Sequence, residues 1–201
     1  LRAVATDGHR LASIEVPQPE GSQNIPGVIV PRKTVAELRK LLEETSDDVS
    51  IAMSDTKIRF AFDDALLTSK LIDGTFPDYN RVIPTENDKV LEVDTKVFSD
   101  AVGRVSAIST EKSRAIKLAL TADNLTLSAN SADNGSAIEE LSVNYRAEDI
   151  EIGFNSRYLQ DIAQQIDGIS ARFTLADAAS PTLVQDTNDE SALYVLMPMR
   201  V

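Results

Sequence analysis

One pattern, written three times, restricts this chain more than any other feature: a short extended stretch, a stretch of helical period, then three stretches that alternate apolar and polar residues. VIV (28–30) leads into PRKTVAELRKLLEET (31–45), followed by VSIAM (49–53), KIRFAF (57–62) and LLTSKLI (66–72). VLEV (90–93) leads into DTKVFSDAVGRVSAIS (94–109), followed by AIKLALT (115–121), NLTLSAN (124–130) and AIEELSVNY (137–145). IEIGF (150–154) leads into NSRYLQDIAQQID (155–167), followed by SARFTLA (170–176), TLVQD (182–186) and ALYVLMP (192–198). Period two marks half-buried strands and period 3.6 an amphipathic helix, so the chain predicts an α+β fold of repeated β-α-β-β-β units, each roughly 50 to 60 residues long. RAVAT (2–6) and RLASIEV (10–16), joined by Asp7-Gly8-His9, predict a hairpin that ends a fourth unit whose beginning is missing. One unit covers one sheet face with one helix, so two units side by side predict a domain with two helices on one sheet face. The Pro-, Asp- and Asn-rich stretch DGTFPDYNRVIPTENDK (73–89) predicts a boundary near Asn80, giving domains 1–80 and 81–201.

Each helix has a readable start: Pro31 in the first turn, Asp94 as N-cap and Asn155 as N-cap. Helical spacing places Val35, Leu38, Leu41 and Leu42 on one face of the first helix. Arg32 and Arg39, and Lys33 and Lys40, are seven apart and stack on the other side, interrupted by Glu37, Glu43 and Glu44 as on an ordinary solvated face. The second helix is expected to bury Val97, Phe98, Ala101, Val102 and Val105 and to turn Lys96 and Arg104 outward. The third is expected to bury Leu159, Ile162 and Ile166 and to show Arg157, Gln160, Gln164 and Gln165.

Composition closes several doors. The 201 residues include no cysteine, which removes disulfides, zinc-thiolate sites and thiol nucleophiles and predicts a reducing compartment, the cytoplasm. No run approaches the roughly 20 apolar residues of a membrane span. A net charge of −12 opposes holding nucleic acid by bulk attraction, so any DNA contact has to be local or topological. The single histidine, His9, lies in TDGHR (6–10), where a catalyst paired with Asp7, a metal ligand and the rim of a binding surface are all open readings. No G-x-S-x-G, P-loop, G-x-G-x-x-G or H-x-x-x-H accompanies it. At the far end, LMPMRV (196–201) holds two of the three methionines around a proline. Methionine suits adaptable apolar surfaces, and Pro198 cannot donate to a ladder, so a strand should end there with Met199 near the surface.

ATDGHRLA (5–12), the PRK helix start (31–33), DGTFPDYNRVIP (73–84), IGFN (152–155) and YVLMPMRV (194–201) together make the chain resemble the bacterial sliding clamps, the beta subunits of DNA polymerase III, over essentially its whole length. The resemblance implies a DNA clamp fold, with helices on an inner, DNA-facing side and antiparallel sheets outside. The family has three domains per subunit and two subunits closing head to tail around duplex DNA. These residues correspond to the rest of the second domain and the third domain. It further implies a non-catalytic processivity factor that needs no cofactor or metal and binds no membrane. Its implied partners are double-stranded DNA, enclosed without base reading, the DNA polymerase III alpha subunit, the clamp loader and other proteins with clamp-binding peptides carrying Gln and Leu or Phe anchors.

Matched position by position, the implied peptide cleft is lined by Thr6, Gly8, His9, Arg10 and Leu11 from the hairpin and by Pro77, Arg81 and Val82 from the linker. Asn155 and Tyr158 would add to it, and Val195, Leu196, Met197, Pro198, Met199 and Arg200 would close it. His9 then becomes a wall, and it must lie close to the terminal methionines. Arg32 and Lys33 match positions that face DNA; Arg39, Lys40, Lys96, Arg104 and Arg157 join them through helix geometry. Ala107 and Ile108 match positions at the dimer interface of the full-length family members. By themselves, the 201 residues are expected to keep the cleft without closing a ring. The competing readings are a peptide-binding adaptor with no role on DNA, and a hydrolase using His9 with Asp7.

Overall fold

Alternation along the chain becomes fourteen strands, all paired antiparallel, with three α-helices among the described residues. A computed structural model of the chain describes residues 1–43, 48–109 and 114–201. They divide into two compact units, Leu1–Pro19 with Tyr79–Val201, and Glu20–Asp78.

In the unit Glu20–Asp78, strands β3 (Ser50–Met53), β4 (Lys57–Phe62) and β5 (Ala65–Lys70) form a meander beside helix α1 (Arg32–Leu42). Period two puts Ile58, Phe60 and Phe62 of β4 on one face, where they are buried and meet Val30, Leu38 and Leu42. The extended stretch expected at 28–30 is not a strand: one bond, from the Ile72 N–H to the Ile29 carbonyl (2.9 Å), does not make a ladder. The apolar face of α1 is only half used, since Val35 is 52% exposed and Leu41 is also exposed. Thr34 is the residue buried there, its hydroxyl 2.6 Å from that of Ser69. The last residues of the predicted helix, Glu44 and Thr45, lie outside the described residues.

The larger unit begins with β1 (Arg2–Thr6) and β2 (Arg10–Glu15) and resumes with β6 (Lys89–Asp94) and α2 (Thr95–Ser106). Then come β7 (Ala115–Thr121), β8 (Asn124–Ser131), β9 (Gly135–Ser142) and the two-residue β10 (Asn144–Tyr145). The last repeat supplies β11 (Ile150–Asn155), α3 (Ser156–Ala163), β12 (Ser170–Leu175), β13 (Thr182–Asp186) and β14 (Ala192–Leu196). Two sheets result where one was expected, in the orders β1-β2-β14-β13-β12-β6-β10 and β11-β7-β8-β9. The two repeats exchange their first strands: β6 pairs with β12, and β11 pairs with β7.

The predicted strand 137–145 is broken at Val143, because its end leaves the smaller sheet to pair with β6. The corner is fixed by bonds from the Val143 N–H to the Asp123 carbonyl and from the Asp123 N–H to the Tyr145 carbonyl, at 3.1 and 2.9 Å. Tyr145 is fully buried there, its hydroxyl donating to the Glu148 carbonyl.

Both helix starts predicted in this unit act as caps: Asp94 accepts from the Val97 N–H (2.8 Å) and Asn155 from the Arg157 N–H (3.0 Å). Phe98, Ala101, Val102 and Val105 of α2 and Leu159 and Ile162 of α3 enter one core with Leu118, Leu120, Leu125, Leu127 and Phe173. Ile166 joins it just beyond α3, whereas Val97, expected inside, is 47% exposed at the margin of the stripe. Phe98 and Phe173 meet edge to face at 5.2 Å between ring centroids. Truncating Phe98 to alanine removes that pair from the buried core. Urea denaturation of Phe98→Ala is expected to show a loss of about 3–5 kcal/mol.

Candidate binding site at the hairpin tip and the C-terminal segment

The turn between β1 and β2 is built by its own side chains. Gly8 takes φ +84°, where a Cβ would be strained. Thr6 Oγ1 accepts from the Gly8 N–H (3.1 Å) and donates to the Arg10 carbonyl (2.8 Å). Asp7 Oδ1 accepts from the N–H groups of His9 and Arg10, both at 3.0 Å, and Asp7 Oδ2 from Arg10 Nε at 3.1 Å. Burial pushes the Asp7 carboxyl up, but the His9 and Arg10 amides and the guanidinium outweigh it and hold the group below its ordinary range. Both oxygens are thus committed away from the His9 ring. A His9–Asp7 catalytic dyad is not formed, since the carboxylate takes the His9 backbone and not its imidazole.

Arg10 ties this turn to helix α3. Its guanidinium lies 4.2 Å over the Tyr158 ring and its Nη1 is 2.7 Å from Asp161 Oδ2. Partial burial lowers the Arg10 pKa, yet the bonds to Asp161 and Asp7 dominate and raise it, so the charge is permanent. Tyr158 is backed by the core, which makes it a firm platform. Tyr158 and Asp161 are three apart and so share one face of α3. That spacing was visible in the sequence, but nothing in it says that Arg10 would arrive opposite.

The other wall is the chain's last residues. β14 pairs with β2, Leu196 opposite Arg10, and the alignment runs on through a bond from the Met197 N–H to the His9 carbonyl (2.9 Å). Pro198 then interrupts donation, and Met199 makes a lone antiparallel bridge to Gly153 of β11. Met197 and Met199 are each 38% exposed, and Arg200 is exposed beside them. His9, Thr6 and Gly8 are exposed, while Leu11, Val195 and Leu196 are buried and serve as packing beneath the surface. Asn155 spends its side-chain oxygen on the α3 cap. Arg81 and Val82 are exposed at the 3-10 turn Tyr79–Arg81, which reaches β1 through a bond from Arg2 Nη1 to the Tyr79 hydroxyl (3.3 Å). Pro77 belongs to the other compact unit.

The basic residues expected to face DNA are exposed, but most are matched by carboxylates. Arg39 faces Glu43 at 3.8 Å, Lys40 faces Glu37 at 3.4 Å and Lys96 faces Asp100 at 2.6 Å, while Arg104 pairs with Glu139. Arg32, Lys33 and Arg157 have no ion pair among the described residues. Ala107 is exposed as the C-cap of α2, and Ile108 is half-buried, its carbonyl accepting from Asn134 Nδ2 (3.1 Å). No group of three or more metal-ligating side chains occurs among the described residues, and no described helix is long and apolar enough to cross a membrane.

A helix pair flanked by interleaved antiparallel sheets, with a terminal segment laid beside a hairpin tip, defines an α+β repeat protein. Residues 1–78 match the family model of the DNA polymerase III beta subunit, central domain, and residues 80–200 that of its C-terminal domain. The beta sliding clamp of Caulobacter vibrioides is 56% identical over 201 residues, covering 100% of this chain and 54% of that protein. The beta sliding clamp of Pseudomonas putida is 41% identical over 201 residues, covering 100% and 55%. Among solved structures, the Bartonella birtlesii sliding clamp bound to griselimycin superposes with TM-score 0.96 at 53% identity, over 100% of this chain and 54% of that one. The Caulobacter crescentus sliding clamp superposes with TM-score 0.94 at 55% identity, over 100% and 53%. The chain belongs to the bacterial beta sliding clamp family. It spans about half the length of the curated relatives it matches.

Because Asp7 titrates below its ordinary value, the turn bonds are present in full above about pH 4 and are lost as pH falls through the depressed pKa. In an acid titration followed by NMR, the His9 and Arg10 amides should shift together, with a midpoint lower than that of an ordinary aspartate. Asp7→Asn should abolish that transition.

Proposed function

We propose that this chain is the peptide-docking part of a replication processivity clamp, a protein that tethers other replication proteins and makes or breaks no bonds. The observation that carries the reading is the bond from the Met197 N–H to the His9 carbonyl, which lays the terminal segment with its exposed methionines alongside the hairpin that holds the fixed Arg10. A greasy, adaptable wall beside a rigid cation suits a short peptide with an apolar anchor and a polar or acidic neighbour. The Bartonella birtlesii clamp is seen with griselimycin bound, which supports the presence of a ligand-accepting surface in the family.

In the same reading, the cleft faces the DNA polymerase III alpha subunit, the clamp loader and other peptide-bearing partners, and Arg81 and Val82 complete it from the linker. Domains 1–80 and 81–201 follow the chain order, although the hairpin within Leu1–Pro19 packs with Tyr79–Val201, and the protein works in the cytoplasm. The full-length protein closes as a homodimeric ring, using Ala107 and Ile108 at its joint, and holds duplex DNA by enclosure. Carboxylate partners on Arg39, Lys40, Lys96 and Arg104 damp attraction to phosphate, which suits sliding; Arg32, Lys33 and Arg157 then make the strongest contacts. The 201 residues alone keep the cleft and close no ring.

Calorimetric titration with a short peptide carrying Gln and Leu-Phe anchors tests the cleft. Met199→Ala and Arg200→Ala should each weaken binding by about 1–2 kcal/mol with little change in melting temperature. Unchanged affinity in both variants would remove the cleft from this surface. On circular DNA, the 201-residue chain should wash off at moderate salt; retention there would contradict enclosure as the holding principle.

A further inference from the structure

β11 is the outer strand of the four-stranded sheet, and its open edge receives one residue, Met199. The Met199 N–H donates to the Gly153 carbonyl at 2.8 Å. Gly153 has no positive φ, so the backbone conformation does not call for glycine; the space does. A Cβ on Gly153 would stand 2.6 Å from the Met199 carbonyl oxygen and 2.4 and 2.8 Å from the two γ-carbons of Val201. The Val201 side chain can turn away. The Met199 carbonyl cannot move without opening the bridge.

We propose that Gly153 is a positioning residue for the cleft: its missing side chain is the notch that fixes the register of the C-terminal segment and thereby the placement of Met199 and Arg200. The proposal rests on the cleft reading given above. The segment has two backbone anchors, the His9 carbonyl upstream and the Gly153 carbonyl downstream, with Pro198 between them unable to donate. With the downstream anchor lost, Met197 stays on the hairpin while Met199 and Arg200 swing free. A peptide bound across that wall must then order the segment itself, and its affinity falls.

The test uses the full 201-residue chain, a fluorescein-labelled peptide with Gln and Leu-Phe anchors, and amide hydrogen exchange. Gly153→Ala is expected to weaken the peptide at least about tenfold and to strip protection from the Met199 amide. Gly153 shows its N–H and carbonyl to the free edge, so alternation turns the Ile152 and Phe154 amides toward β7, and these should stay protected. Adding Val201→Gly to Gly153→Ala leaves the conflict with the Met199 carbonyl and should not restore binding.

Equal affinity in wild type and Gly153→Ala overturns the proposal. So does loss of protection along all of β11, which would mark simple damage to the sheet, and so does rescue by Val201→Gly, which would reduce the effect to a side-chain clash. If the wild type itself fails to bind the peptide, the cleft reading falls. Met199 exchange in the two chains then still decides whether Gly153 sets the register.

Discussion

The backbone ladder between β2 and β14 is the constraint on which the rest of the site depends. An edge strand carries unpaired donors and acceptors along its whole length, and β14 would be such an edge if the hairpin did not cover it. Satisfying that edge brings residues 10–14 opposite residues 192–196, and continuing the same alignment by one more bond delivers Met197 to His9. The proposed binding surface is therefore a by-product of ladder completion. Its walls come from opposite ends of the chain because the sheet needed a strand there.

Electrostatics refine that placement without creating it. Most ion pairs here join exposed side chains, where screening and side-chain entropy leave about 0–1 kcal/mol each. Arg10 differs, since two carboxylates and an aromatic face constrain one guanidinium that is only partly exposed. What this network contributes is direction: a permanent cation whose plane is set before any ligand arrives.

Much of this was legible in the sequence, and what was not has physical reasons. The caps at Asp94 and Asn155 and the buried stripe Phe98, Ala101, Val102 and Val105 follow from local chemistry, and the structure shows them. Periodicity alone could not say how far a stripe is covered, so Val97, expected inside, and Val35, placed on the apolar face of α1, are both half exposed. Nor could it say which sheet a strand joins; the exchange of β6 and β11 and the break at Val143 are tertiary choices. At the site, residue types at the hairpin tip and the terminal methionines could be picked out. Asp161 and Gly153 could not be assigned a purpose, because one needs Arg10 to arrive from 151 residues away and the other needs the terminal segment overhead. A lone glycine within a strand was nonetheless a hint of close backbone approach.

The exchanged strands carry a consequence for how the larger unit comes into being. Neither repeat can close its own sheet: β6 waits for β12, with Glu92 meeting Arg172 across 80 residues of chain, and β7 waits for β11. Assembly must hold the first half open until the second has been made, and such distant pairings slow folding. A nascent chain would thus present bare sheet edges for a time, and two such chains meeting in that interval could complete each other instead of themselves.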